Sequence, residues 1–169
     1  ESDPMTGLLN RAGFQRRINA LINAEHTDFS LAYIDADHFK DINDHYGHEA
    51  GDTVLKTIAS RISHQTRASD IVSRFGGDEF VLVITKNQKD AAATLNRIVH
   101  AIHDEPMTLD TGETVQISIS CGVAPYSMGV SVESLLRQAD SALYEAKKAG
   151  RNRTCAVSSV IVSPQIPAA

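Results

Sequence analysis

Cysteine is nearly missing from these 169 residues: two occur, Cys121 and Cys155, with no CxxC spacing. That excludes a disulfide framework and a cysteine-rich zinc site, and leaves two reduced thiols of the kind found in cytosolic proteins. No apolar run approaches the roughly 20 residues of a membrane span, and no signal-peptide pattern opens the sequence as given. The domain is therefore expected in the cytoplasm without membrane contact of its own, any anchor lying on segments outside it. Positive charge is not in excess either, the formal net charge being −5. A general nucleic-acid surface is basic, so nucleic acid is excluded as a partner. A phosphate-bearing ligand stays open, provided local cations or a metal receive it. Internal repeats and low-complexity blocks are absent.

What is present fits one globular domain. Hydrophobic residues make up 42% and charged residues 22%, enough to bury a sizeable core. Residues 11–25 place Phe14, Ile18, Leu21 and Ile22 at helical spacing. "FSLAYID" (29–35) suits a central strand ending at Asp35. "EAGDTVLKTIASRIS" is helical through Val54, Leu55, Ile58, Ala59 and Ile62, and "DAAATLNRIVHAI" is a further helix. "IVSRF" and "EFVLVI" flank Gly76 and Gly77 as a hairpin, because glycine takes positive φ almost without cost. "ETVQISISCGVA" (113–124) alternates with period 2 and predicts one long strand. A last helix over 131–150 is capped by Ser131 and ended by Gly150. The domain is expected to occupy 1–158, with 159–169 an irregular tail carrying two prolines.

The order β-α-β-β-α-β predicts an α/β (α+β sandwich) fold, a ferredoxin-like or palm-type sheet flanked by helices. In that arrangement strand 29–35 is expected beside the hairpin strand leading into Gly76, so that Asp35 and Asp78 face one another. Alone, "GGDEF" (76–80) reads equally well as a solvated hairpin tip with two surface acids. Two carboxylates brought together repel, and a divalent cation is the usual remedy.

Four local features belong together: "DADHFKDIND" after a strand, "GHEAGD" at a helix start, "GGDEF" on a hairpin and "AKKAGRNR" at the end of the last helix. As a set they closely resemble the diguanylate cyclase (GGDEF) family, over about residues 3–153. "DPMTGLLNR" (3–11) also resembles that family's opening motif, with Met5 where Leu is more usual. The resemblance implies condensation of two GTP into cyclic di-GMP with release of pyrophosphate. It implies a Mg²⁺-dependent homodimer (Mn²⁺ is the alternative ion), because one site holds one GTP and two copies must meet face to face. An N-terminal sensory or dimerisation region is expected outside this sequence.

By the same resemblance Asp35, Asp78 and the carbonyl of Ala36 hold the metal, with Glu79 as a second metal ligand or orienter. Asp78 is also the candidate general base, although a metal-bound carboxylate is a poor one. Lys40 joins backbone N–H groups after Asp35 in meeting the triphosphate and stabilising transition-state charge. Lys147 and Arg151 match the family's phosphate clamp; a basic helix end complementing its own dipole is the plain alternative. Asn43 and Asp52 are expected to read guanine, Asp52 accepting from its N–H groups, with Phe39 and His48 against the nucleotide. "HYGH" (45–48) has no cysteine cluster to make it a zinc site. "RASD" carries Arg67 and Asp70, with five residues between Asp70 and Gly76, the register of the family's inhibitory product site; a turn with a local ion pair is the alternative. Arg97 is a possible second arm.

Three rivals remain in view. A cyclic di-GMP receptor without turnover would have lost one of Asp35, Lys40, Asn43, Asp52, Asp78 or Glu79, and all are present. A two-component receiver needs an acidic pair after an earlier strand, and strand 29–35 is already the first. A cyclase making a cyclic mononucleotide differs in its product.

Overall fold

The computed structural model describes residues 1–157. In chain order its elements are α1 (Arg11–Asn23), β1 (Ser30–Ala36), α2 (Phe39–Tyr46), α3 (His48–Gln65), β2 (Ile71–Gly76), β3 (Glu79–Ile84), α4 (Gln88–His103), β4 (Met107–Thr108), β5 (Thr114–Val115), β6 (Ile119–Pro125), α5 (Val132–Lys148) and β7 (Arg153–Ala156). Helix starts follow their caps. Asn10, Asn87 and Ser131 each accept a hydrogen bond from the backbone N–H three residues on, each cap contributing about 1 kcal/mol.

The main sheet has the order β2-β3-β1-β6-β7. Its first four strands are antiparallel in a ferredoxin-like order, with β7 added parallel to β6. One face packs Ala32, Ile34, Phe80, Leu82 and Val123 against α3 and α4. The other packs Leu31, Val81, Val83 and Ala124 against α1 and α5. Gly122 lets α5 lie close on β6, since a Cβ there would run into the α5 backbone at Ala139 and Leu143.

Two expectations change. The neighbour of β1 is β3, the strand leaving the Gly-Gly turn, and not β2, the strand leading into it. Phe80 to Ile84 are apolar and buried throughout, whereas β2 is only alternately buried. A strand apolar on both faces needs neighbours on both sides and takes the interior place. The long strand over 113–124 is also broken. Thr114–Val115 pairs with β4 in a separate two-stranded sheet, and pairing with β1 begins at Ile119. The strand β7 and the pair β4–β5 carry no periodic signal long enough to be read. Helices α3 and α4 run slightly past the ends expected for them. The tail expected at 159–169 and residue 158 lie outside the described residues.

Gly76 and Gly77 both have positive φ, 137° and 51°, as the turn requires. Cys121 is buried, Cys155 half-buried, and both are free thiols; burial pushes the Cys121 thiol pKa up. Among the described residues no helix is long and apolar enough to cross a membrane.

Candidate active site

Strand alternation starts the site. Leu31, Tyr33 and Asp35 point to the same side of β1, the side that α5 covers. The last turn of α5 carries Lys147, and its ammonium is ion-paired with Asp35 Oδ2. Asp78 arrives from the hairpin tip, which the Ala36 N–H holds by donating to the Asp78 carbonyl at 3.3 Å. Asp35, Ala36, Asp37, His38, Phe39, Lys40, Asp78, Lys147 and Arg151 line one cleft of about 240 Å³. Six of the residues singled out in the sequence thus converge with the Ala36 backbone.

The electrostatics of the cleft ask for a cation. Burial, followed by the hydrogen-bonding contact and the charge of Asp35, holds the Asp78 carboxyl far above the ordinary carboxylate range, at about 7. Asp35 Oδ1 is buried without a hydrogen-bond partner, the position a hard cation takes against a carboxylate. Two carboxylates and a carbonyl suit Mg²⁺, which keeps several waters. Among the described residues no three His, Cys, Asp or Glu side chains converge as a metal cluster. Glu79 instead accepts a hydrogen bond from the Tyr33 hydroxyl at 2.9 Å, and burial followed by that contact raises the Tyr33 pKa.

The hairpin tip is braced from the N-terminal segment, which sequence reading treated only as a motif. Arg74 donates from Nε and Nη2 to the Gly77 carbonyl and from Nη1 to Asp3 Oδ1. Burial alone would raise the Asp3 pKa; the Thr6 hydroxyl and N–H and the Arg74 guanidinium outweigh it and hold Asp3 below the usual range. Leu9 is stitched to β2 by backbone bonds to Val72 and Arg74.

Lys40 lines the cleft but is exposed and bonds Asp44 at 2.8 Å, one turn along α2, and that bond raises its pKa. Other residues stand apart. Asn43 lies on α2 against Gly51 of α3, where a Cβ would collide with its side-chain carbonyl. His48 and Asp52 are exposed on α3, outside the cleft lining. The helices meet at Gly47, whose φ of 93° makes the corner.

Arg67 and Asp70 meet at the start of β2, but unequally. Asp70 is buried and accepts from the N–H of Arg67 at 2.8 Å and from the N–H and hydroxyl of Thr85 at 2.9 and 3.1 Å. It clasps the start of β2 to the end of β3. Arg67 is exposed and donates to the Thr85 carbonyl and hydroxyl. Arg97 lies elsewhere, in the groove between α3 and α4 with Arg61 and His64. Asp37, Tyr33 and Arg74 were not singled out. For Asp37 a signal existed, a second acid two residues after Asp35 at the end of a strand.

The comparisons agree with this geometry. The family model described as diguanylate cyclase, GGDEF domain, matches residues 1–153. Diguanylate cyclase DgcP of Pseudomonas aeruginosa is 40% identical over 156 residues, 90% of this chain and 23% of that protein. A structure of TpbB (YfiN) from Pseudomonas aeruginosa comprising only the GGDEF domain superposes with a TM-score of 0.87, at 38% identity and covering 100% of both chains. The GGDEF domain of DgcB from Caulobacter crescentus, in complex with c-di-GMP, gives 0.86 at 33% identity, covering 94% of this chain and 93% of that one. The chain spans less than half the length of the first curated relatives it matches. With the family model matching residues 1–153 and the fold superposing over the whole chain, the chain belongs to the diguanylate cyclase GGDEF domain family.

Proposed function

We propose that this domain condenses two GTP into cyclic di-GMP, releasing two pyrophosphates, with a divalent cation at Asp35 and Asp78 and two copies face to face. The observation that carries the reading is the cleft in which paired acids and the cations Lys147 and Arg151 line one small space. When bound, a Mg²⁺ ion supplies positive charge to the triphosphate and to the reacting oxygen. Asp35, Asp78 and the Ala36 carbonyl would hold it, and the orphaned Asp35 oxygen supports that assignment.

Lys147 then exchanges the carboxylate for phosphate oxygens and, with Arg151, fixes the triphosphate. The first N–H groups of α2 lack helical partners and add donors. Lys40 turns from Asp44 toward charge developing on the leaving group. Asn43 and Asp52 read guanine from the α2–α3 corner; adenine would leave Asp52 without a donor. Of the two acids at the tip, Glu79 is exposed and held by Tyr33 through one oxygen. In this reading Glu79 orients the ribose 3′-hydroxyl offered by the second copy, and Asp78 is the candidate base. A two-fold axis makes each copy donor and acceptor in turn. Product bound near Arg67 acts as an inhibitor.

The test is to incubate the protein with GTP and Mg²⁺ or Mn²⁺ over a range of protein concentrations and identify the product by mass. Cyclic di-GMP and pyrophosphate are expected, with activity per mole rising with concentration. A cyclic mononucleotide, or binding of cyclic di-GMP without turnover, overturns the reading. Activity per mole that stays flat where only monomer exists overturns the two-copy mechanism.

A further inference from the structure

Asp37 follows the Ala36 carbonyl directly and is buried at 4% exposure. Its Oδ1 accepts from the Ser120 hydroxyl at 2.6 Å. Its Oδ2 accepts from the Ser118 hydroxyl at 2.6 Å and from the Asn152 N–H at 3.0 Å. Its own N–H donates to the Ser118 carbonyl. Among the described residues no ion pair includes Asp37, so its charge is held by dipoles alone. A buried carboxylate on such terms is costly, and with both oxygens committed it is not a further ligand for a cation.

The bond to Asn152 shows what this arrangement does. Arg151 and Asn152 are consecutive non-glycine residues with positive φ, 64° and 50°, a conformation that L-residues avoid and that persists only when the surroundings impose it. The turn hangs from α5 through the Arg151 N–H bonded to Ala146. Asp37 fastens it at the Asn152 N–H, beside the Arg153 Nε bond to the Arg151 carbonyl and the β6–β7 pairing that begins at Arg153. One carboxylate therefore ties the end of β1, the approach to β6 and the strained turn that presents Arg151 to the cleft.

We infer that Asp37 is a positioning residue for the triphosphate clamp: it holds the Arg151–Asn152 turn so that Arg151 meets phosphate. The inference rests on the proposal that Arg151 binds GTP phosphates. Asn at position 37 keeps the shape and replaces one acceptor oxygen by an amide, weakening its grip on the serine hydroxyls and the Asn152 N–H.

The experiment measures binding of guanosine and of a GTP analogue with a methylene between the α and β phosphorus atoms, using the 169-residue chain with Mg²⁺. Asp37→Asn is expected to weaken the analogue about tenfold, the scale of one charge-assisted hydrogen bond, with guanosine unchanged. The Asn152 amide should also exchange faster. On an Arg151→Ala background Asp37→Asn should cost nothing further. Lowered thermal stability with intact analogue affinity, or two losses that simply add, overturns the inference. If Arg151→Ala itself leaves analogue affinity unchanged, the clamp in the proposed function fails, and this inference fails with it. Should Asp37→Asn not fold, Ser118→Ala with Ser120→Ala removes two of the donors that hold the carboxylate and carries the same expectations.

Discussion

Lys147 is ion-paired with Asp35 across 112 positions of sequence. The last turn of one helix thereby closes on the end of the first strand, and a protein cation stands against a carboxylate whose other oxygen is buried and unpartnered. The site is charged on both sides before any ligand arrives. In the proposed function Asp35 would hold a cation through that carboxylate, and the Lys147 ammonium would turn to phosphate.

Asp35→Asn and Asp78→Asn should each lower turnover by at least about a hundredfold while cooperative unfolding is kept, because each removes ligand charge from a site built around a cation. Turnover and thermal melting measured on the same preparations check this. Near-normal turnover in both folded variants would remove the metal assignment.

Gly51→Ala should leave stability nearly unchanged and weaken GTP. Alanine in a helix interior contributes up to about 1 kcal/mol over glycine, offset by the collision with Asn43 and the tight approach of Phe39. Asn43 must move, and guanine loses a partner. Affinity for GTP should fall more than affinity for ATP, which lacks the O6 acceptor. Equal losses for the two would show that Asn43 reads no base.

Arg67→Ala and Asp70→Ala should separate. The sequence register treats the two as equivalent product-binding residues, but Asp70 is already saturated by Arg67 and Thr85. Asp70→Ala should destabilise the fold by roughly 2 kcal/mol, leaving buried donors unpaired. Arg67→Ala should keep stability and initial rate but lose inhibition by added cyclic di-GMP. Chemical denaturation and rates against added product distinguish them, and unchanged inhibition in Arg67→Ala would return "RASD" to a structural turn.

Acid should loosen the hairpin brace. The Asp3 pKa is lowered in the folded protein, so its contribution is fully present above the ordinary carboxylate pKa near 4 and is lost as pH falls through the lowered value. Arg74→Gln should remove on the order of 2 kcal/mol at neutral pH and flatten stability against pH below about 4. An acid limb as steep as that of the parent would show that Asp3 is not linked to Arg74.

Much of this protein could be read along the chain, because the signals are local. Apolar residues every three or four positions specify the long helices, Ser131 marks a helix start, and two glycines make a turn whatever surrounds it. Asp35 and Asp78 stood out as acids at a strand end and a turn, and the family motifs named their companions. Pairing was another matter. Whether β1 lies beside β2 or β3 depends on which strand is apolar on both faces once helices cover the sheet. The break at 116–118 depends on β5 finding β4. Asp70 resembles a ligand residue in sequence, and its clasp is not legible there, since Thr85 comes to it only when β2 and β3 align. Asp37 gains its importance from Ser118, Ser120 and Asn152, more than 80 residues away. Local propensity is a property of neighbours in the chain; a buried carboxylate takes its role from whichever donors folding brings to it.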